Sequence, residues 1–327
     1  MKSSHKIAIV LGLTLAFLVW VLWGIDFNKA WGAFVQAKWI YFVPMFLGYL
    51  VSHLLRSLRL WLLLGRSSSY GRIFIINSVG FLAINVMPLR LGEMVRPYLF
   101  LERESIPLAT GLAAILLERL LDMVMLLLML LCLGLVVQLP EQGVMIHGID
   151  VITAGQKAVG VAALLGIVGC ILVVLVGQPI IRIIEKFPLG KKIGAFASTF
   201  KDGLAGLFTR PIFALSLVAL SVVIWSVTIA AVSMALAAFS IPNGFDISLT
   251  TWSITLTGMT VVPTPGFFGV YELCCSEALA LFGIEETLSK TFAVVLHLGQ
   301  LIFIGVLGAF FIFREGLKLK DLARQAQ

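Results

Sequence analysis

Eight long apolar stretches punctuate the chain: Ile7–Ile25, Trp39–Leu55, Ile73–Leu89, Met123–Gly148, Ala158–Ile181, Pro211–Phe245, Ile247–Tyr271 and Thr291–Phe313. Only the fourth holds a charge, Glu141. A hydrocarbon core about 30 Å thick takes about 20 apolar residues as a helix, so the pattern predicts eight membrane segments. The first begins after Lys2 and Lys6 and has no small-x-small cleavage signal, which reads as an uncleaved signal anchor. A different periodicity occupies the middle of the chain. Ile193, Phe196, Phe200, Leu204, Leu207 and Phe208 recur at helical spacing among Lys191, Lys192 and Lys201, as in a helix lying on the inner leaflet.

Basic residues gather beside four of these regions. They are Lys2 and Lys6, then Arg56, Arg59, Arg66 and Arg72, then six residues between Arg182 and Arg210, and finally Arg314, Lys318, Lys320 and Arg324. The positive-inside rule places all four in the cytoplasm, with both termini. Glu141–Lys157 and Glu272–Lys290 carry more acidic than basic residues and face outward. Passing from Arg72 inside to Glu141 outside requires an odd number of crossings, yet two segments lie between. The polar one, about 73–101, is therefore re-entrant and 106–139 is the span. The same parity makes 211–241 a span and 248–283 re-entrant from the outer side. Kinked helices with a miscounted loop are the other reading of the two broken stretches.

The predicted fold is thus an all-α polytopic membrane protein with six full spans and two re-entrant segments, arranged as an inverted repeat. Residues 1–140 form the first repeat, with spans near 7–25, 39–55 and 106–139. Residues 141–157 form an outer loop. Residues 158–327 form the second repeat, with spans near 158–181, 211–241 and 291–313. Gly/Pro-broken segments at matching places in two inverted halves point to a midplane binding site.

Composition narrows the classes. Of 327 residues, 60% are hydrophobic and 13% charged, against about 25% charged in ordinary soluble domains. The net charge of +7 lies between apolar runs, so it reports topology and not nucleic-acid binding. Cys132, Cys170, Cys274 and Cys275 have no metal-ligand spacing with the four histidines, and neither a metal nor a cofactor is expected.

Three polar motifs interrupt this apolar background. The first runs Asn85-x-x-Pro88-x-Arg90-x-Gly92-Glu93-x-x-Arg96. Pro88 and Gly92 break the helix, Arg90 and Arg96 offer planar forks suited to phosphate oxygens, and Glu93 would hold one arginine without ligand. The second is Glu118-Arg119-x-x-Asp122. A helix starting at Ser105 and Pro107 carries Glu118 about 18 Å inward, near the bilayer centre, where ionisable groups are costly and usually functional. A structural ion pair is the alternative. The third is Pro263-Thr264-Pro265-Gly266-x-x-Gly269-x-x-Glu272, whose prolines and glycines stop the helix and allow close approach.

In this order the motifs resemble those of the lysylphosphatidylglycerol synthase transmembrane family, also called flippase-like or UPF0104. That family includes the flippase domain of the multiple peptide resistance factor. Phe267 stands where the family usually has a second glycine. The resemblance implies a carrier that moves a polar-headgroup lipid between leaflets of the cytoplasmic membrane. Its lipid partner would be a phospholipid, aminoacyl-phospholipid or glycolipid. Asn85, Arg90, Glu93, Arg96, Glu118, Arg119, Asp122 and Glu272 are the candidate substrate-binding residues. The carboxylates would neutralise the empty site or bind a cationic headgroup.

No H-E-x-x-H, G-x-S-x-G or Walker-type loop is present, so a transporter is expected in place of an enzyme. Two alternatives stay open at this point: a membrane-embedded lipid-modifying enzyme, and an accessory subunit partnering lipid-biosynthetic enzymes of a hopanoid or glycolipid pathway.

Overall fold

The computed structural model describes Gly12 and residues 17–87, 92–136, 145–146, 149–186, 190–262 and 264–316. Among them the regular structure is helical, apart from a two-residue antiparallel pairing of Met145–Ile146 with Ile149–Asp150. The helices are α1 Phe27–Gln36, α2 Phe42–Leu63, α3 Tyr70–Val86, α4 Val95–Glu104, α5 Leu108–Val136, α6 Val151–Ile184, α7 Gly190–Phe208, α8 Pro211–Ala238, α9 Phe245–Val261, α10 Val270–Ala280 and α11 Glu286–Arg314.

Local chemistry sets several boundaries. The Asp26 carboxylate accepts hydrogen bonds from the Asn28 and Lys29 amides and starts α1. Ser69 does the same for α3 through the Arg72 amide. Ser105 does not start α5; it sits in the left-handed region at φ 53° and ends α4. Glu285 caps α11, accepting from the Leu288 amide at 2.9 Å, and that bond holds its carboxyl below the usual range.

Among the described residues, four helices are long and apolar enough to cross a membrane: Trp39–Leu63, Leu164–Ile183, Pro211–Ala238 and Glu286–Arg314. The 29-residue α5 reaches about 43 Å at 1.5 Å per residue and carries the Glu118 motif along its first half. These membrane-spanning helices make the chain a membrane protein.

α2 and α8 pack along one another. A methyl group at Gly48 would lie 2.9 Å from Ala231 Cβ, so a small residue permits the close crossing. Ser52 Oγ and Thr228 Oγ1, 2.9 Å apart, add a hydrogen bond across the same seam. α3 packs on α11, α9 packs on α5, and α10 lies against both α9 and α11. Two helix-break-helix units result, α3 with α4 and α9 with α10. Their breaks meet: a Cβ on Gly266 would lie 3.3 Å from the Asn85 carbonyl oxygen.

Several boundaries differ from those read in the sequence. α2 continues past Leu55 to Leu63, because Arg59 is paired with Asp122 inside the protein and Arg56 stacks on Trp225 beside it, so neither has to reach a loop. α6 begins at Val151, within the stretch assigned to the outer loop. α7 is helical but does more than cover a leaflet. Its Leu204 is fully buried with Ala113, Leu117, Leu120 and Cys170, while Ile193 and Phe196 remain exposed.

Candidate functional site

The densest polar assembly lies where α2, α3, α4, α5 and α8 meet. The side chain of Arg96 returns from α4 over Gly80 of α3, at a position a Cβ would occupy 2.2 Å from Arg96 Cγ. Glycine at position 80 therefore admits the arginine. The Arg96 guanidinium then donates to Asn77 Oδ1 at 3.2 Å and to both oxygens of Glu118 at 3.1 and 3.2 Å. Its charge is completely buried. Arg119 Nη2 donates to Glu118 Oε1 at 2.5 Å and lies 3.5 Å from Asp122 Oδ2. Arg59, also completely buried, donates to Asp122 Oδ1 at 2.7 Å and to Ser221 Oγ at 2.8 Å. Arg56 lies 3.8 Å from Asp122 Oδ1 and stacks 4.4 Å over the Trp225 ring.

The cluster thus alternates charges: Arg96, Glu118, Arg119, Asp122, then Arg59 and Arg56. Desolvating so many ions is tolerable only because each carboxylate is held by several guanidinium groups. One edge of it opens on a cavity of about 260 Å³. That cavity is lined by the charged Arg56, Glu93, Arg119 and Asp122 and by apolar side chains that include Leu256, Met259, Leu301, Phe303 and Ile304. Asn85 and Phe267, from the two breaks, also line it.

Glu272 is buried and does not itself line the cavity, although the adjacent Tyr271 and its partner His297 do. Its Oε2 accepts the Gly269 amide at 2.7 Å, which caps α10, and its Oε1 lies 2.6 Å from His297 Nδ1. Gly269 has φ 83°, a conformation suited to glycine, and Gly266 has φ 58°. Phe267 follows with φ 60°, so the loop keeps its left-handed turn with a phenylalanine where the sequence comparison led us to expect glycine. His297 stacks on Tyr271 with ring centroids 4.2 Å apart, and both line the cavity.

The structure therefore brings together Asn85, Glu93, Arg119 and Asp122 at one cavity, with Glu118 and Arg96 one layer behind. The carboxylate that holds Arg96 is Glu118, not Glu93. Glu272 reaches the cavity only through His297. Gly92 lies between α3 and α4, and a Cβ there would lie 2.2 Å from the Ala83 carbonyl carbon, so it also lets the returning chain touch α3. Pro265 and Gly266 start the short 3-10 turn of the second break. Arg90, Pro88 and Pro263 lie outside the described residues. Among the described residues, no group of three or more His, Cys, Asp and Glu side chains is placed to hold a metal ion.

Sequence reasoning missed Arg56, Arg59, His53 and the Trp225–Trp252 pair. His53-x-x-Arg56-x-x-Arg59 has the i,i+3 spacing of one helix face, and Tyr49 and Ser52 extend it. That pattern was the available signal, hidden because two arginines after an apolar run look like a cytoplasmic border.

Membrane-spanning helices around a buried charge cluster and an amphipathic cavity define a polytopic membrane protein with an internal polar site. The chain belongs to the family described as the lysylphosphatidylglycerol synthase TM region, which matches residues 6–308. No curated protein and no solved structure gives a significant match.

Proposed function

We propose that the chain is a flippase-like carrier that moves a lipid with a polar headgroup between the leaflets of the cytoplasmic membrane. One observation carries this reading: the cavity is lined by both charged and apolar side chains, as a lipid combines headgroup and acyl chain. A buried charge cluster that only stabilised the fold would have no need to border an open cavity. The family's association with lysylphosphatidylglycerol agrees with a lipid ligand.

The packing also supports an inverted repeat of residues 1–140 and 158–327. α2 of the first half pairs with α8 of the second. Each broken unit packs its longer helix on the last long helix of the other half, α3 on α11 and α9 on α5. In such a repeat, six crossings and two re-entrant units would place the cavity near the midplane, open in turn to either side.

The test is reconstitution into liposomes with fluorescent phospholipids, aminoacyl-phospholipids and glycolipids, with an impermeant quencher scoring the exposed leaflet. Protein-dependent loss of the protected pool for at least one headgroup is expected. Protection equal to that of empty liposomes for every headgroup overturns the proposal. Chemical conversion of a lipid, followed by mass spectrometry, would instead identify an enzyme.

A further inference from the structure

The charges around the cavity do not balance, and their imbalance has a sign. Arg56 and Arg119 balance Glu93 and Asp122 on the lining itself, but the sealed layer behind it sets Arg59 and Arg96 against Glu118 alone, so among the described residues the cluster as a whole carries one positive charge in excess. The hydrogen bonds are unbalanced in the same direction. Both oxygens of Glu118 are taken by Arg96, one of them also by Arg119, and the two oxygens of Asp122 face Arg59 and Arg119. Meanwhile Arg59 Nε, Arg119 Nε, and Arg96 Nε and Nη2 have no acceptor among the described residues. Glu272, on the far side, does not offset this, because it is 2% exposed and both its oxygens are engaged by Gly269 and His297.

We infer that the cavity binds a lipid whose headgroup carries a net negative phosphate with no compensating amine, and that Arg56 is a principal contact for the phosphate oxygens. This rests on the carrier reading only in taking the ligand to be a lipid. Arg56 lines the cavity, its side chain is 14% exposed, and its only ion pair among the described residues is the long one of 3.8 Å to Asp122. Trp225 under its guanidinium fixes the fork without neutralising it. A planar fork held in this way presents two parallel N–H groups to an oxyanion. At the Arg56 fork itself, an ammonium group on a lysyl or ethanolamine headgroup would meet guanidinium groups, since both oxygens of the adjacent Asp122 face Arg59 and Arg119. Glu93 lines the cavity without an ion pair among the described residues; it tempers the positive charge and is the one lining carboxylate an ammonium group could reach, so its removal is part of the test.

The test is calorimetric binding to the purified full chain in nonionic detergent, using dihexanoyl phosphatidylglycerol, dihexanoyl lysylphosphatidylglycerol, dihexanoyl phosphatidylcholine and inorganic phosphate. Phosphatidylglycerol should bind at least tenfold more tightly than the lysyl and choline lipids. Arg56→Gln should weaken its binding at least tenfold, and Arg56→Lys should recover only part of that loss. Glu93→Gln should act in the opposite direction and tighten binding, which keeps the inference testable if Arg56→Gln does not fold. Equal or tighter binding of the lysyl lipid overturns the inference, as does unchanged binding in Arg56→Gln or weaker binding in Glu93→Gln. Inorganic phosphate binding as tightly as the lipid would reassign the site to the free anion and overturn the lipid part. Charge-selective binding without transport in liposomes would sink the carrier reading and leave this inference standing. Transport without headgroup charge preference would do the reverse.

Discussion

Arg59 and Asp122 form a 2.7 Å ion pair in which the guanidinium is completely buried, although 63 residues separate them in the chain. The pair ties α2 to α5, and the second Arg59 bond, to Ser221, ties both to α8. Removing one partner of a buried pair leaves an uncompensated charge and costs about 3 to 5 kcal/mol. Arg59→Ala should therefore lower the thermal stability of the detergent-solubilised protein markedly. Arg59→Met with Asp122→Leu should be less damaging than Arg59→Ala alone. A melting temperature of Arg59→Ala within 2 °C of wild type would contradict the role given to this pair.

Gly80, under the Arg96 side chain, and Gly92 hold the first broken unit together by their lack of a side chain. A Cβ at Gly92 would strike the Ala83–Ile84 backbone at 2.2 to 2.3 Å, and backbone cannot rotate away as a side chain does. Gly92→Ala should lower stability by at least ~1 to 3 kcal/mol, the usual cost of overpacking. Gly305 of α11 has no atom within 4 Å of its would-be Cβ, so Gly305→Ala should be neutral or gain about 0.5 to 1 kcal/mol. Comparing the two by thermal denaturation isolates the contact from the general effect of adding a methyl group.

The ends of the bundle are distinguishable by their contacts. Lys29 pairs with Glu285 and Lys290 reaches the Trp23 carbonyl, gathering the starts of α1 and α11 at one end. Arg72 pairs with both Glu104 and Glu315, gathering the start of α3 with the ends of α4 and α11 at the other. The 29 residues of α11 separate these ends by about 43 Å. Arg66, Arg72, Arg103 and Arg314 lie towards the second end, and the positive-inside rule predicts that this end faces the cytoplasm. In a cysteine-free background, an impermeant maleimide added to intact cells should label Lys29→Cys and not Glu102→Cys. Labelling of both from outside, or of Glu102→Cys alone, would defeat this orientation.

The membrane class and the two broken stretches were legible in the sequence because hydropathy is a one-dimensional property. Glu118, Arg119 and Asp122 were likewise legible as a cluster, since their spacing puts them on one helix. What could not be read was who neutralises them. Arg59 and Arg96 come from other helices, and nothing in a local window distinguishes a basic residue that exits to water from one that turns inward. Arg56 and Arg59 were therefore placed in a cytoplasmic border, and α2 was ended eight residues early. The same limitation hid His297, whose role depends on Glu272, 25 residues away in the chain and 2.6 Å away in space.

The arrangement also separates two roles for the arginines of the cluster. In sequence, Arg119 is the only cation beside Glu118 and Asp122, so its removal would leave both carboxylates unpaired. The structure gives each a second holder: Arg96 binds both oxygens of Glu118, and Arg59 binds Asp122 at 2.7 Å. Arg119 is in addition the more accessible group, 28% exposed and on the cavity wall, whereas Arg59 and Arg96 are sealed. Arg119→Ala should therefore leave a folded protein that loses most headgroup-dependent transport, at least tenfold in initial rate. Arg96→Ala should fail earlier, because both oxygens of a Glu118 that is 1% exposed would lose their main partner, with a penalty of about 3 to 5 kcal/mol. Monodisperse elution and a near-wild-type melting temperature for Arg119→Ala, with aggregation or strong destabilisation for Arg96→Ala, is the expected pair of results. If Arg119→Ala were the less stable of the two, Arg119 would be the structural member of the cluster and Arg56 would be left as the arginine contact of the cavity.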